Sequence, residues 1–161
     1  MPSLGISSWK GQRSEHLKAI AQYPEIENYL PHRPPFLFVS GILSLEDAEG
    51  GRCYLDLHEG YPYLEGGVFP SLLVVESLGQ AVAVLQGYRF AALGPKQSVM
   101  GYLVKLNDFQ FEGTAAVGDR IILAVRPRRK LGKLILFHGE AWVAGKRLCF
   151  GEMTFLIESD E

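Results

Sequence analysis

Glu76 sits in a run that is otherwise almost wholly apolar, FPSLLVVESLGQAVAVLQ from Phe69 to Gln86. Pro70 suits a first helical position, where a missing N–H costs nothing, and the run that follows reads as one buried helix. Gln80 follows Glu76 by four residues and so shares its face. No Lys or Arg lies within a helical turn of Glu76. A carboxylate in such a place is costly unless something pairs it or uses it, and its natural use is general acid or base work. Glu76 is therefore the leading candidate site residue.

Four histidines could serve beside it. His58 ends a strand-like run just ahead of the loop that leads to the helix. Alternation places it with Tyr54 and Asp56, opposite Leu55 and Leu57, so it is a base only if that face meets the site. His32 lies in a proline-rich stretch, where a structural hydrogen bond is expected. His16 and His138 read as surface or strand residues. Tyr61 and Tyr63, aromatic and in the loop before the helix, are expected to pack or to line a tunnel, because a free phenol titrates near ~10.

The elements that must hold these residues follow from pattern. Residues 1–13 are Gly/Ser-rich and expected to be flexible, and residues 14–161 form a single domain. SEHLKAIAQ, from Ser14, reads as a short amphipathic helix. IENYLPHRPPF is a connection held extended by Pro31, Pro34 and Pro35. FLFVSGILSL and GRCYLDLHE are the first two strands, turned by the acidic, Gly-rich run at 46–51. Beyond the helix, with a stop at GPK (94–96), come four strand-like runs. Tight turns are expected between them at AAVGD (115–119), KLGK (130–133) and AGK (144–146). Two strands, one long apolar helix and an antiparallel meander make an α+β chain in which a curved sheet wraps the helix. The sheet edges left open predict a dimer.

Composition narrows the function. The chain has 161 residues, 47% hydrophobic and 21% charged, with a net charge of −2. That balance makes no case for nucleic acid. No apolar run is long enough and free enough of polar residues to span a membrane, and no secretory signal pattern opens the chain, so a cytoplasmic protein is expected. Cys53 and Cys149 sit in strand-like runs and read as reduced core thiols, with no metal and no cofactor expected.

Three stretches carry a family resemblance. LPHRPPFLFV (30–39), VFPSLLVVESLGQ (68–80) and FQFEGTAAVGDRI (109–121) resemble the signature segments of hotdog-fold 3-hydroxyacyl-acyl-carrier-protein dehydratases. The resemblance implies a hotdog fold, in which a curved antiparallel sheet surrounds one long central helix. It implies a hydro-lyase of fatty acid or polyketide-type synthesis, acting on 3-hydroxyacyl thioesters, with acyl carrier protein or coenzyme A as carrier. In that family the helix carboxylate works with a loop histidine of the other subunit: one α-proton leaves, and the hydroxyl departs protonated. Carried over, the resemblance makes Glu76 the acid or base and places Ser71, Gln80, Tyr63 and Val68 about the substrate. The Ser71 N–H, at the helix start, can polarise the thioester carbonyl.

The sequence departs from the family at one decisive place. Counted back from Glu76 without a gap, the histidine position is Pro62; aligned through LEGG, it is Gly67. The histidine-bearing Gly-His-Phe-Pro loop is missing either way, and a family glycine is Ser71. Three functions follow as expectations: a dehydratase-like protein with altered or impaired chemistry; a non-catalytic or half-catalytic subunit completed by a related hotdog chain in a heterodimer; or a hotdog thioesterase, whose carboxylate activates water without a histidine. The basic cluster Arg126, Arg128, Arg129, Lys130 and Lys133 reads as a solvated hairpin or as a landing patch for an acidic carrier protein. Arg33 reads as a packing and capping arginine, or by resemblance as a support for the loop or the carrier arm.

Overall fold

The computed structural model describes residues 23–94 and 99–159. The helix expected from Ser14 and the N-terminal thirteen residues lie outside them. The elements, in chain order, are β1 (Gly41–Leu45), β2 (Gly51–Asp56), β3 (Val68–Phe69), α1 (Ser71–Ala92), β4 (Val99–Phe111), β5 (Ala115–Ala116), β6 (Arg120–Leu131), β7 (Leu134–Val143) and β8 (Lys146–Ser159). Short 3-10 turns occupy Ile26–Asn28 and Asp47–Glu49.

Six strands form one antiparallel sheet in the order β1-β2-β6-β7-β8-β4, and β3 pairs with β5 as a separate ribbon. The alternation that the sequence shows becomes two faces. Along β7, Ile135, Phe137, Gly139 and Ala141 are buried, while Leu136, His138, Glu140 and Trp142 lie half-buried on the other face. Gly139 lies against Leu78 of α1; a methyl there would sit 3.4 Å from its Cδ1. The inner face of the sheet thus clasps Val74, Leu78, Ala81, Val82 and Leu85 of the helix in one core. This is the α+β hotdog arrangement expected from the sequence, one long helix against a curved antiparallel sheet.

Five local expectations change. Pro70 is the residue that caps α1 and not its first helical residue; its carbonyl accepts hydrogen bonds from the Leu73 and Val74 N–H groups at 2.9 and 3.2 Å. The connection at AAVGD is no hairpin, because β4 lies at the sheet edge beside β8 while β6 lies between β2 and β7. Ala115 and Ala116 instead pair with Phe69 and Val68, and Asp119 closes the turn by accepting the Ala116 N–H at 2.8 Å. The other two turns are hairpins as expected. At the second, Ala144 and Gly145 both take left-handed backbone (φ 48° and 79°), the twist that a two-residue hairpin needs.

The prolines do not keep residues 31–36 extended. The chain turns there, with the Arg33 carbonyl accepting the Phe36 N–H at 2.9 Å. Phe36 to Ser40, read as the start of the first strand, lies outside β1, since a helix side chain takes the backbone hydrogen bonds of Phe36 and Phe38. The helix is also not covered all round within one chain: Leu72 is 75% exposed. At the far end of α1, the Arg89 guanidinium donates to the carbonyls of Glu46, Glu49 and Gly50 and ties the helix to the β1–β2 turn.

Candidate active site

Glu76 lies on the second turn of α1, half-buried, on the same stripe as exposed Leu72. The side chain of Gln80 holds it. Gln80 Nε2 donates to Glu76 Oε1 at 3.1 Å and to the Phe36 carbonyl at 3.1 Å, while Gln80 Oε1 accepts the Phe38 N–H at 2.8 Å. The amide is 2% exposed, so these bonds form away from competing water. No Lys or Arg pairs with Glu76 among the described residues. The group nearest its Oε1 besides Gln80 is His32, whose Nε2 stands 3.7 Å away. Oε2 has no hydrogen-bond partner among the described residues.

Sequence reasoning gave His32 a structural role and left it out of the site. The fold brings it there because the stretch before it is anchored. Ile26 and Leu30 are buried in the core, and Tyr29 and Tyr23 pack edge-on against Tyr88 of α1. Arg33 then clamps the turn, donating to the carbonyls of Leu30 (2.7 Å), His32 (2.8 Å) and Glu27 (3.2 Å). This is the capping use of Arg33. The legible signal was an arginine between histidine and two prolines, a loop built to be stiff.

Apolar side chains are exposed on Phe36, whose carbonyl Gln80 holds, on the loop before the helix and on its first turn. Phe36, Tyr63, Val68 and Leu72 are 41%, 47%, 37% and 75% exposed. Phe36 and Tyr63 meet edge-on at 6.1 Å, and both rings lean on buried Phe38. Tyr63 takes left-handed backbone at φ 66°, a conformation that costs a non-glycine residue and is found where a side chain must be aimed. Ser71 opens α1, and its N–H and that of Leu72 have no intrahelical partner. Glu76 stands about 7.5 Å further along the axis, at 1.5 Å per residue.

The loop from His58 to Gly67 holds both positions that align with the family histidine. Gly66 and Gly67 both take left-handed backbone, at φ 59° and 79°. A histidine at Gly67 would sit in a conformation that side chains rarely adopt. Pro62, the other aligned position, directly precedes strained Tyr63. His58 itself is exposed; its Nδ1 lies 3.0 Å from the Glu59 carbonyl and its ring meets Tyr61 at 5.2 Å. Tyr61 donates to the Leu37 carbonyl at 3.2 Å, and burial pushes its phenol up to about 12, far from duty as a base at neutral pH.

The basic cluster lies elsewhere. Arg126, Arg128, Arg129 and Lys130 are exposed at the end of β6. Arg126 adjoins Gly50, where an added methyl would lie 3.3 Å from its Cβ, and Gly50 in turn accepts from Arg89. Arg89 follows Glu76 by thirteen residues, about 20 Å along the helix. His138 is on the outer sheet face, its Nε2 3.0 Å from Glu140 Oε1, while Trp142 Nε1 donates to Glu140 Oε2 at 3.0 Å. Cys53 and Cys149 are free and buried, and burial raises both thiols, Cys149 to about 11. Among the described residues no His/Cys/Asp/Glu group has the makings of a metal site, and no helix is long and apolar enough to cross a membrane.

What the site offers is one carboxyl with a held oxygen and an open oxygen, an imidazole beside it and an apolar rim. That arrangement can take up and return one proton next to a greasy substrate.

Comparison with known proteins gives the same direction. A family model described as ApeP-like, ApeP dehydratase, matches residues 24–159. The 3-hydroxyacyl-[acyl-carrier-protein] dehydratase FabZ of Haemophilus ducreyi is 27% identical over 139 residues, covering 83% of this chain and 89% of the relative. The FabZ of an Escherichia coli O139:H28 strain is 29% identical over 137 residues, covering 82% and 89%. Among solved structures, the dehydratase heterocomplex ApeI:P from Xenorhabdus doucetiae aligns with a TM-score of 0.73 at 20% identity, over 83% of this chain and 91% of that one.

Proposed function

This chain belongs to the ApeP-like dehydratase family, and from that premise we propose that it acts on 3-hydroxyacyl thioesters carried by acyl carrier protein, removing water to give the enoyl thioester. Glu76 moves the proton. The observation that carries the reading is the fixing of Glu76 Oε1 by buried Gln80 while Oε2 has no hydrogen-bond partner among the described residues. A positioned carboxyl of this kind contributes on the order of 10²–10⁴-fold as general acid or base. Tyr63 and Val68 line the acyl side, and the free N–H at Ser71 polarises the thioester carbonyl. The exposed cluster Arg126, Arg128, Arg129 and Lys130 receives the acidic carrier, which then reaches the site along the length of α1.

The site is shared between two chains. β4 is an edge strand of thirteen residues, and Met100, Tyr102, Leu103, Val104, Leu106 and Phe111 on it are all large, apolar and exposed. Such an edge invites a second copy or a related hotdog chain. The heterodimeric form has specific support: the loop that would carry the family histidine holds Pro62 and left-handed Gly67, and a heterocomplex is among the structural neighbours. A histidine-bearing partner could then add its base to Glu76.

The test offers 3-hydroxyacyl and saturated acyl thioesters, on carrier protein and on coenzyme A, to the purified chain alone and mixed with a histidine-bearing hotdog dehydratase. Enoyl product and free thiol are followed separately, for wild type and Glu76→Gln. Enoyl formation that falls at least 100-fold in the variant is expected. Free thiol without enoyl would transfer the chain to the thioesterases, and equal enoyl rates for wild type and variant would remove Glu76 from the chemistry.

A further inference from the structure

We propose that His32 is a hydrogen-bond donor that holds the substrate hydroxyl against Glu76, a role that rests on the dehydratase reading and deepens it. Three observations meet at this residue. Its Nε2 stands 3.7 Å from Glu76 Oε1, and both side chains remain about one-third exposed, at 33% and 31%. That separation is too long for a direct hydrogen bond, yet one oxygen atom placed about 2.8 Å from each would bridge them. The turn that carries His32 is stiff, since Arg33 bonds three carbonyls of the 27–32 segment and the imidazole stacks on Phe36 at 6.3 Å. Finally, Nδ1 is fully buried with no partner among the described residues.

The last observation fixes the role. An N–H at Nδ1 would be a buried donor with nothing among the described residues to receive it, which costs more than an idle lone pair. The favoured form carries its proton on Nε2, the nitrogen that faces the carboxyl. Such a ring donates and does not act as a base.

The dehydration then needs one proton carrier. The Glu76 carboxylate takes the α-proton from C2 and becomes the acid. The electron pair left at C2 forms the C2=C3 bond, and the C3–O bond breaks with its pair on oxygen. The His32 Nε2–H bond steadies that oxygen while Glu76 returns the proton to it. Water leaves, and Glu76 is a carboxylate again.

The experiment pairs kinetics with ring spectroscopy. Enoyl formation is measured for wild type, Glu76→Gln, His32→Ala and His32→Gln, each checked for folding by thermal melting. The chain is assayed alone and with a histidine-bearing hotdog partner. Nitrogen-15 spectra of labelled histidine report the His32 tautomer between pH 6 and 8. His32→Ala should lose about 100-fold in kcat, as for removal of one preorganised donor. His32→Gln, which keeps an N–H of similar reach, should recover part of it, and the uncharged ring should carry its proton on Nε2. His32→Ala turning over at the wild-type rate while Glu76→Gln is dead would overturn the proposal and leave the dehydratase reading intact. An uncharged ring protonated at Nδ1 at the pH of activity would do the same. Wild type that forms no enoyl product, alone or with the partner, would overturn both.

Discussion

The Phe38 N–H donates to Gln80 Oε1 at 2.8 Å, joining the stretch before β1 to the middle of α1 across forty-two positions of sequence. The same amide donates to the Phe36 carbonyl and to Glu76. One helix side chain therefore takes the place of a strand neighbour and positions the acid. Its three bonds leave the amide with little freedom to rotate.

Replacing Gln80 by Leu tests this. The volume is kept, but the Phe38 N–H and the Phe36 carbonyl lose their partner. Each unsatisfied buried group costs about 1–3 kcal/mol, so a loss of about 3 kcal/mol is expected in urea unfolding. Enoyl formation should fall as well, because Glu76 loses its brace. A Gln80→Leu chain as stable as wild type would mean that water or a rearranged loop satisfies the two backbone groups.

The glycine at 87 approaches the same segment from below. A methyl there would lie 2.7 Å from the Tyr29 carbonyl oxygen and 3.1 Å from Tyr29 Cβ, and a backbone oxygen has little room to retreat. In an exposed helix, Gly to Ala gains about 1 kcal/mol. At this position overpacking opposes it, by about 1–3 kcal/mol. Gly87→Ala should therefore lower the melting temperature, and it should loosen the turn that holds His32. A Gly87→Ala chain that melts higher than wild type would show that Tyr29 can move away without cost.

How far the sequence could be read follows from these residues. The period of α1, the alternation of β7 and the isolation of Glu76 are local patterns, and local patterns survive in one dimension. The bond from Gln80 to Phe38 and the approach of His32 are contacts between distant segments, and their spacing alone gives no sign of them. The strand order failed for a related reason. AAVGD looks like a hairpin, but β4 pairs with β8 and leaves β6 to β2 and β7. That choice is made by which faces the helix covers and not by the turn. The prolines at 34 and 35 signalled extension wrongly, because the chain turns there and Arg33 bonds back to the Leu30 and His32 carbonyls.

On the outer sheet face, burial alone would raise the Glu140 carboxyl. Hydrogen bonds from His138 and Trp142, with the charges of His138 and Arg126, outweigh it and hold the group below its ordinary 4.5. A group depressed in the folded state stabilises the fold above its unfolded value, and that contribution is lost as pH falls through its folded one. Glu140 should therefore add to stability at neutral pH and give it up below about pH 4.5. Glu140→Gln should be less stable than wild type at pH 7, with the gap closing toward pH 3. Urea midpoints across that range measure it, and parallel curves for the two proteins would remove Glu140 from the acid response.

The exposed edge of β4 makes the last prediction. Val104 is 53% exposed on a strand whose outer side pairs with nothing among the described residues, between Leu103 and Lys105 where the ladder to β8 shifts register. If a second chain covers this edge, a charge at Val104 is buried without a partner, and desolvation opposes association. Val104→Lys should keep the fold, since β4 retains its bonds to β8, and should shift a dimer to monomer in sedimentation at micromolar concentration. Turnover should fall with association, because the apolar rim formed by Phe36, Tyr63 and Leu72 is then left open to water. A wild-type chain that sediments as a monomer at any concentration and still forms enoyl product would place the whole site within one subunit. A Val104→Lys chain that remains dimeric would move the interface to another edge.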